Sequence, residues 1–319
     1  MIASYHCRSD KFTHMQPPGR IALSVLLVLT LGYLAGCDFS YKSIFDAAKE
    51  GDAEQVRKIL DKDPSLVNAR YKNSLYREQT ALHLASTAEV VEILIAAGAE
   101  LEARETVGLT PLHTAANAEV AQALIDAGAE VMAENSKGLT PLHLAENAAV
   151  AEVLIANGAD VDYVKVPEWR DRSVNKKPLK DTPLYWAILN GKPDVVQVLL
   201  EYGANYNQPL SHNRTLLHHA AQYGNRAETI DILLEYFSDI DHRDEYGATP
   251  LHIAVINDKL AATEQLILAG ADLNARINKG VKVFEIAGPG QFYAGGATPL
   301  IVAQSEEMRD LLKSYGATE

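Results

Sequence analysis

A short pattern, T-P-L-H with variants, recurs along the chain and dictates how it can fold. Thr80, Thr110, Thr140, Thr182, Thr215, Thr249 and Thr298 each open a copy. An alanine follows five residues later every time, at Ala85, Ala115, Ala145, Ala187, Ala220, Ala254 and Ala303. Downstream comes a Leu/Ile pair and then Gly-Ala, beginning at Gly98, Gly128, Gly158, Gly203, Gly270 and Gly316. Self-similarity at such a period means an array of small units, none able to bury its apolar face alone. For an array, the usual expectation that 319 residues make about two globular domains does not apply.

Each unit has a physical logic. Thr is a good N-cap, and Pro in the first turn lacks an N–H that would have no partner there. Small Ala positions let two antiparallel helices approach, the Leu/Ile pair fills the space between units, and Gly closes the second helix in a left-handed cap. These residues resemble the ankyrin repeat. The resemblance implies an all-α solenoid of helix-turn-helix units joined by β-turn fingers. About eight units are expected, near 42–79, 80–109, 110–139, 140–181, 182–214, 215–248, 249–297 and 298–319, the first degenerate and the last truncated.

Departures from the period carry information. The steps from Thr80 to Thr110 and from Thr110 to Thr140 mark compact units, where Thr87, Asn117 and Asn147 are placed to cap a second helix that starts three residues early. Phe237 stands where the closing Gly belongs, and a bulky residue is strained at φ > 0, so that turn should differ. Two insertions fall in finger connections, about 162–181 and 274–297, and the second reads as an extended hairpin around Gly288-Pro-Gly290.

Ahead of the array, Arg8, Lys11 and Arg20 precede an apolar run over residues 21–36. Such a run is shorter than the roughly 20 residues a spanning helix needs, so it reads as a signal peptide. It ends in Leu34-Ala35-Gly36-Cys37, which resembles the bacterial lipobox. The resemblance implies cleavage after residue 36, lipid on Cys37, a short tether over 37–41 and an array over 42–319 facing the periplasm. Asp38 resembles an inner-membrane retention signal, and the outer membrane stays open. Met15 would give a more usual leader than Met1. The two cysteines exclude a disulfide scaffold.

Function is expected to be recognition without chemistry. Twenty-nine Lys and Arg against 42 Asp and Glu give a net charge of −13, which argues against nucleic acid. No catalytic motif, cofactor site or metal site is expected. His83, His113, His143, His218 and His252 share one repeat slot and read as structural, and they lie about 10 Å apart by helix-packing distances, too far to share a metal. In ankyrin proteins partners bind the concave finger and inner-helix face, which places Trp186, Leu189, Asn190, Tyr223 and Tyr246 as candidates. The insertions add Trp169, Arg170 and Arg172, then Phe284, Phe292 and Tyr293, in keeping with the aromatic and Arg bias of binding hot spots. The reading is a membrane-anchored, monomeric scaffold for an unidentified protein partner. Alternatives are an immunity or inhibitor protein that neutralises a toxin or enzyme, and behind it an enzyme using the 274–297 insertion as a lid.

Overall fold

The computed structural model describes residues 43–72, 78–164, 181–207, 210–223, 227–278 and 295–318. The leader, Cys37, most of the first insertion and the proposed hairpin of the second lie outside the described residues. Helices pair in sequence along the rest. The first unit holds α1 (Ile44–Glu50) and α2 (Ala53–Lys62), followed by a two-residue ladder of β1 (Tyr71–Lys72) and β2 (Glu78–Gln79). The second holds α3 (Ala81–Leu84) and α4 (Ala88–Ala96), and in the third and fourth a 3₁₀ turn (Pro111–Thr114, then Pro141–Leu144) precedes α5 (Ala118–Asp126) and α6 (Ala148–Ala156). Full-length pairs follow: α7 (Pro183–Leu189) with α8 (Pro193–Glu201), α9 (Leu216–Tyr223) with α10 (Ala227–Tyr236), and α11 (Pro250–Ile256) with α12 (Leu260–Leu268). The eighth unit holds α13 (Pro299–Val302) and α14 (Glu306–Ser314).

The recurring residues do what their chemistry predicts. Thr80, Thr110, Thr140, Thr182, Thr249 and Thr298 are N-caps, with Pro in the first turn wherever it is present. The second helices end as expected: Ala99 N–H bonds Leu94 O at 2.9 Å while Gly98, at φ +92°, bonds Ile95 O at 2.9 Å. Phe237 does not adopt positive φ, and its N–H makes the helical bond to Leu233 O at 2.9 Å. Its ring packs instead against Tyr206, centroids 5.5 Å apart, so an aromatic contact closes that unit in place of a glycine turn.

Compactness comes from the first helix. In the full-length units it runs seven or eight residues, and α1, α7 and α11 end through a left-handed residue, Gly51 (φ +75°), Gly191 (φ +61°) or Asp258 (φ +53°). In the compact units only one turn forms, and Ala85, Ala115 and Ala145 exit in extended backbone, so the left-handed turn is deleted. Thr87, Asn117 and Asn147 then cap the second helix, accepting from the N–H of Val90, Val120 and Val150. Asn adds a bond that Thr cannot: Asn117 Nδ2 donates to Ser86 O at 2.9 Å and Asn147 Nδ2 to Ala116 O at 3.2 Å, tying each unit to the one before. The last unit keeps both helices in the compact form, with Ser305 capping α14 through Met308 N–H.

One apolar core runs from Ile44 to Ala317, with Leu94, Leu124, Leu154, Leu199 and Leu233 fully buried at one register. Fingers are stitched separately. Arg70, Arg104 and Arg243 each donate to a carbonyl of the following finger, at Arg104 O (2.7 Å), Glu134 O (2.6 Å) and Arg276 O (2.7 Å). Ser136 N–H bonds Val107 O at 3.1 Å, an approach so close that a Cβ on Gly108 would lie 2.8 Å from that nitrogen.

Candidate partner-binding face

The histidine slot is settled by its partners. In all five cases Nδ1 accepts the backbone N–H of the capping Thr, as at Thr110 N (3.1 Å) for His113. That bond puts the ring proton on Nε2, which donates to a backbone carbonyl ahead of the next unit: Leu109 O, Leu139 O, Asp181 O, Ala248 O and Ala297 O at 2.9–3.3 Å. Burial lowers the pKa of every one, to about 4 for His113 and His252 and about 3 for His218. A buried neutral ring with both nitrogens engaged is a strut between repeats. It offers neither a general base nor a ligand lone pair. No group of three or more His, Cys, Asp or Glu is placed to hold a metal ion among the described residues.

Tyr185 takes the slot in the fifth unit, and there the pattern changes character. Its hydroxyl lies 3.5 Å from His219 Nδ1, and the two rings meet edge-on with centroids 5.2 Å apart. His219 in turn stacks on Tyr223, centroids 5.9 Å apart and planes within 26°. Tyr223 is 43% exposed. His219 occupies the same unit position as Trp186, the residue after the slot, so two neighbouring first helices present large rings in one register. Trp186 is half-buried, and its indole N–H is buried without an acceptor. Leu189 is half-buried beside it, while exposed Asn190 donates from its side chain to Trp186 O at 2.8 Å, capping α7.

Tyr246 sits elsewhere, on a finger. Its hydroxyl lies 3.0 Å from His212 Nδ1, which also meets the Glu245 carboxylate, and His212 and Asn213 form a finger tip with φ of +63° and +58°. Asn213 stands where Gly108 and Gly247 stand in other fingers and bonds both His242 Nε2 (3.2 Å) and Arg243 O (3.1 Å). Tyr246 thus belongs to a finger-tip cluster, and Trp186, Leu189, Asn190 and Tyr223 belong to the first-helix face. Trp169, Arg170, Arg172, Phe284, Phe292 and Tyr293 lie outside the described residues, as does Cys37. Glu245, which shares the finger tip with Tyr246 in the sequence reading, joins His212 in its cluster; His212 and His219 were not singled out as binding residues from the sequence. The readable signal for His219 was its register with Trp186.

The family model for ankyrin repeats (three copies) matches residues 44–135, 87–165, 119–210 and 207–277. The chain is similar to the nuclear factor NF-kappa-B p105 subunit of Gallus gallus, 34% identical over 107 residues, covering 33% of this chain and 11% of that protein. It is 30% identical over 108 residues to ankyrin repeat and SOCS box protein 11 of Mus musculus, covering 34% and 33% of the two chains. The chain therefore spans about a third or less of these relatives. The crystal structure of the human ASB11 ankyrin repeat domain superposes with a TM-score of 0.54 at 22% identity, covering 76% of this chain and all of that one, a likeness of fold.

Proposed function

The chain belongs to the ankyrin-repeat family, and from that premise we propose that it is a scaffold binding a protein partner through the first-helix face of its fifth and sixth units, by surface complementarity and with no chemistry of its own. The supporting observation is the row of Trp186, His219 and exposed Tyr223 on adjacent first helices, rigid rings of the kind that dominate binding energy. Tyr246, whose hydroxyl meets His212 in the finger-tip cluster, is a second, polar contact point in this reading. Trp169, Arg170 and Arg172 of the first insertion stay candidates by residue type alone.

The scaffold is tethered in a bacterial cell envelope by lipid on Cys37 and faces the periplasm. The support is the position of Leu34-Ala35-Gly36-Cys37 at the end of a short apolar run. Two or more acyl chains on one residue hold a protein stably on a bilayer where one does not. Two measurements test the proposal. Intact mass of the membrane-extracted protein should show a chain beginning at Cys37 with acyl groups, and Cys37→Ala should abolish both; an unprocessed mass in both proteins refutes the tether. Chemical crosslinking in intact cells should yield one dominant adduct that Trp186→Ala with Tyr223→Ala removes. An adduct unchanged by that pair of substitutions refutes the face.

A further inference from the structure

The acidity of this protein is concentrated. Residues 80–164, the three compact units, hold thirteen Asp and Glu against only Arg104 and Lys137, so this block carries −11 of the whole chain's −13. On the same block the second helices leave an apolar groove of about 740 Å³ between α4 and α5, reaching Val153 on α6. Val91, Ile95 and Ala123 form its floor, and Glu92, Glu119 and Asp126 stand around it on exposed positions. On α5 the lining is small where the fifth unit carries bulk: Ala123 and Ala127 correspond in register to Val198 and Tyr202. Asp126 is steadied by Gln122 Nε2 at 2.7 Å, which keeps that carboxylate at the rim.

We propose that this outer-helix groove is a second binding site, separate from the first-helix face, and that it takes a cationic amphipathic helix from a partner protein. Charge decides the occupant. A field of this sign repels nucleic acid and anionic lipid, and a second copy of this acidic chain as well. A helix with Leu-type side chains along one face and Lys or Arg along its flanks satisfies both features at once: the apolar face covers Ile95 and Ala123, and the flanking cations meet Glu92, Glu119 and Asp126. Apolar burial then supplies affinity, while the carboxylates set orientation and on-rate.

The test uses the full chain and a labelled Leu/Lys amphipathic helical peptide, with a Leu/Glu peptide of the same pattern as control, read by fluorescence anisotropy. The Leu/Lys peptide should bind and the Leu/Glu peptide should not. Neutralising the rim with Glu92→Gln, Glu119→Gln and Asp126→Asn should weaken binding about tenfold, the sum of three exposed ion pairs. Filling the groove from its exposed edges with Ala96→Trp and Ala127→Trp should weaken it at least as much. A matched set away from the groove, Glu100→Gln, Glu130→Gln and Glu235→Gln, should change it less than about twofold, the size of a general field effect. Equal losses in the rim and matched sets, undiminished binding to the Trp-filled protein, or no binding by the wild type would each overturn the site.

Discussion

Protonating one buried histidine should measurably loosen the array, and His113 is the cleanest place to see it. Its ring is buried as the neutral Nε2–H form between Thr110 and Leu139 O, with a pKa lowered to about 4, first by burial. The unfolded chain returns the ring to an ordinary value near 6.5. Because the folded pKa lies below the unfolded one, the neutral ring's contribution is full above pH 6.5 and is lost as pH falls towards 4. At pH 5 the deficit is about 1.5 pH units at 1.36 kcal/mol each, or about 2 kcal/mol. His113→Gln removes the titration while a Gln at that position can still accept the capping Thr N–H. Urea unfolding of both proteins at pH 7.5 and pH 5.0 gives the stability difference at each pH. The other four slot histidines and the carboxylates cancel in that comparison. The advantage of the wild type over His113→Gln should shrink by about 2 kcal/mol between the two pH values. An unchanged difference, or a native-state NMR titration of His113 with a midpoint near 6.5, would refute the strut assignment.

Three further outcomes follow from the packing. Asn117→Ser keeps a helix cap but loses the bond to Ser86 O, and should cost about 1 kcal/mol, while Asn117→Ala should cost about 2 kcal/mol in the same urea assay. Gly98→Ala meets only the strain of φ +92° with open space around the new Cβ, about 1 kcal/mol. Gly108→Ala adds a contact 2.8 Å from Ser136 N, and its thermal midpoint should fall further than that of Gly98→Ala. Leu124→Ala empties a fully buried site between units and should cost about 3 kcal/mol, seen as early loss of helix signal on heating.

The parts of this molecule that were legible from sequence are those set within one repeat. Thr at the cap, Gly at the helix end and Asn117 or Asn147 at the early second cap each act on neighbours a few residues away, so spacing alone reveals them. The compact nature of the last unit was equally readable: Thr298 to Gly316 matches Thr80 to Gly98, while Thr182 to Gly203 and Thr249 to Gly270 are one turn longer. Contacts between repeats were less legible, because they depend on how far one unit is displaced from the next. Nothing in the sequence around Arg104 says that its guanidinium reaches Glu134 O, nor that Asn213 fills the place of a finger glycine by bonding Arg243 O. Tyr185 likewise meets His219 edge-on only once neighbouring first helices are side by side, whereas His219 and Tyr223 stack four residues apart on one helix. The two long insertions have no repeat to take their register from.

A partner seated on the first-helix face of the fifth and sixth units should shield the backbone amides there. Hydrogen exchange of the crosslink-identified complex against the free protein addresses it directly. Protection should rise over residues 183–190 and 216–223, with Tyr246 and its finger gaining less. Protection confined to the second helices, or spread evenly over all units, would contradict it.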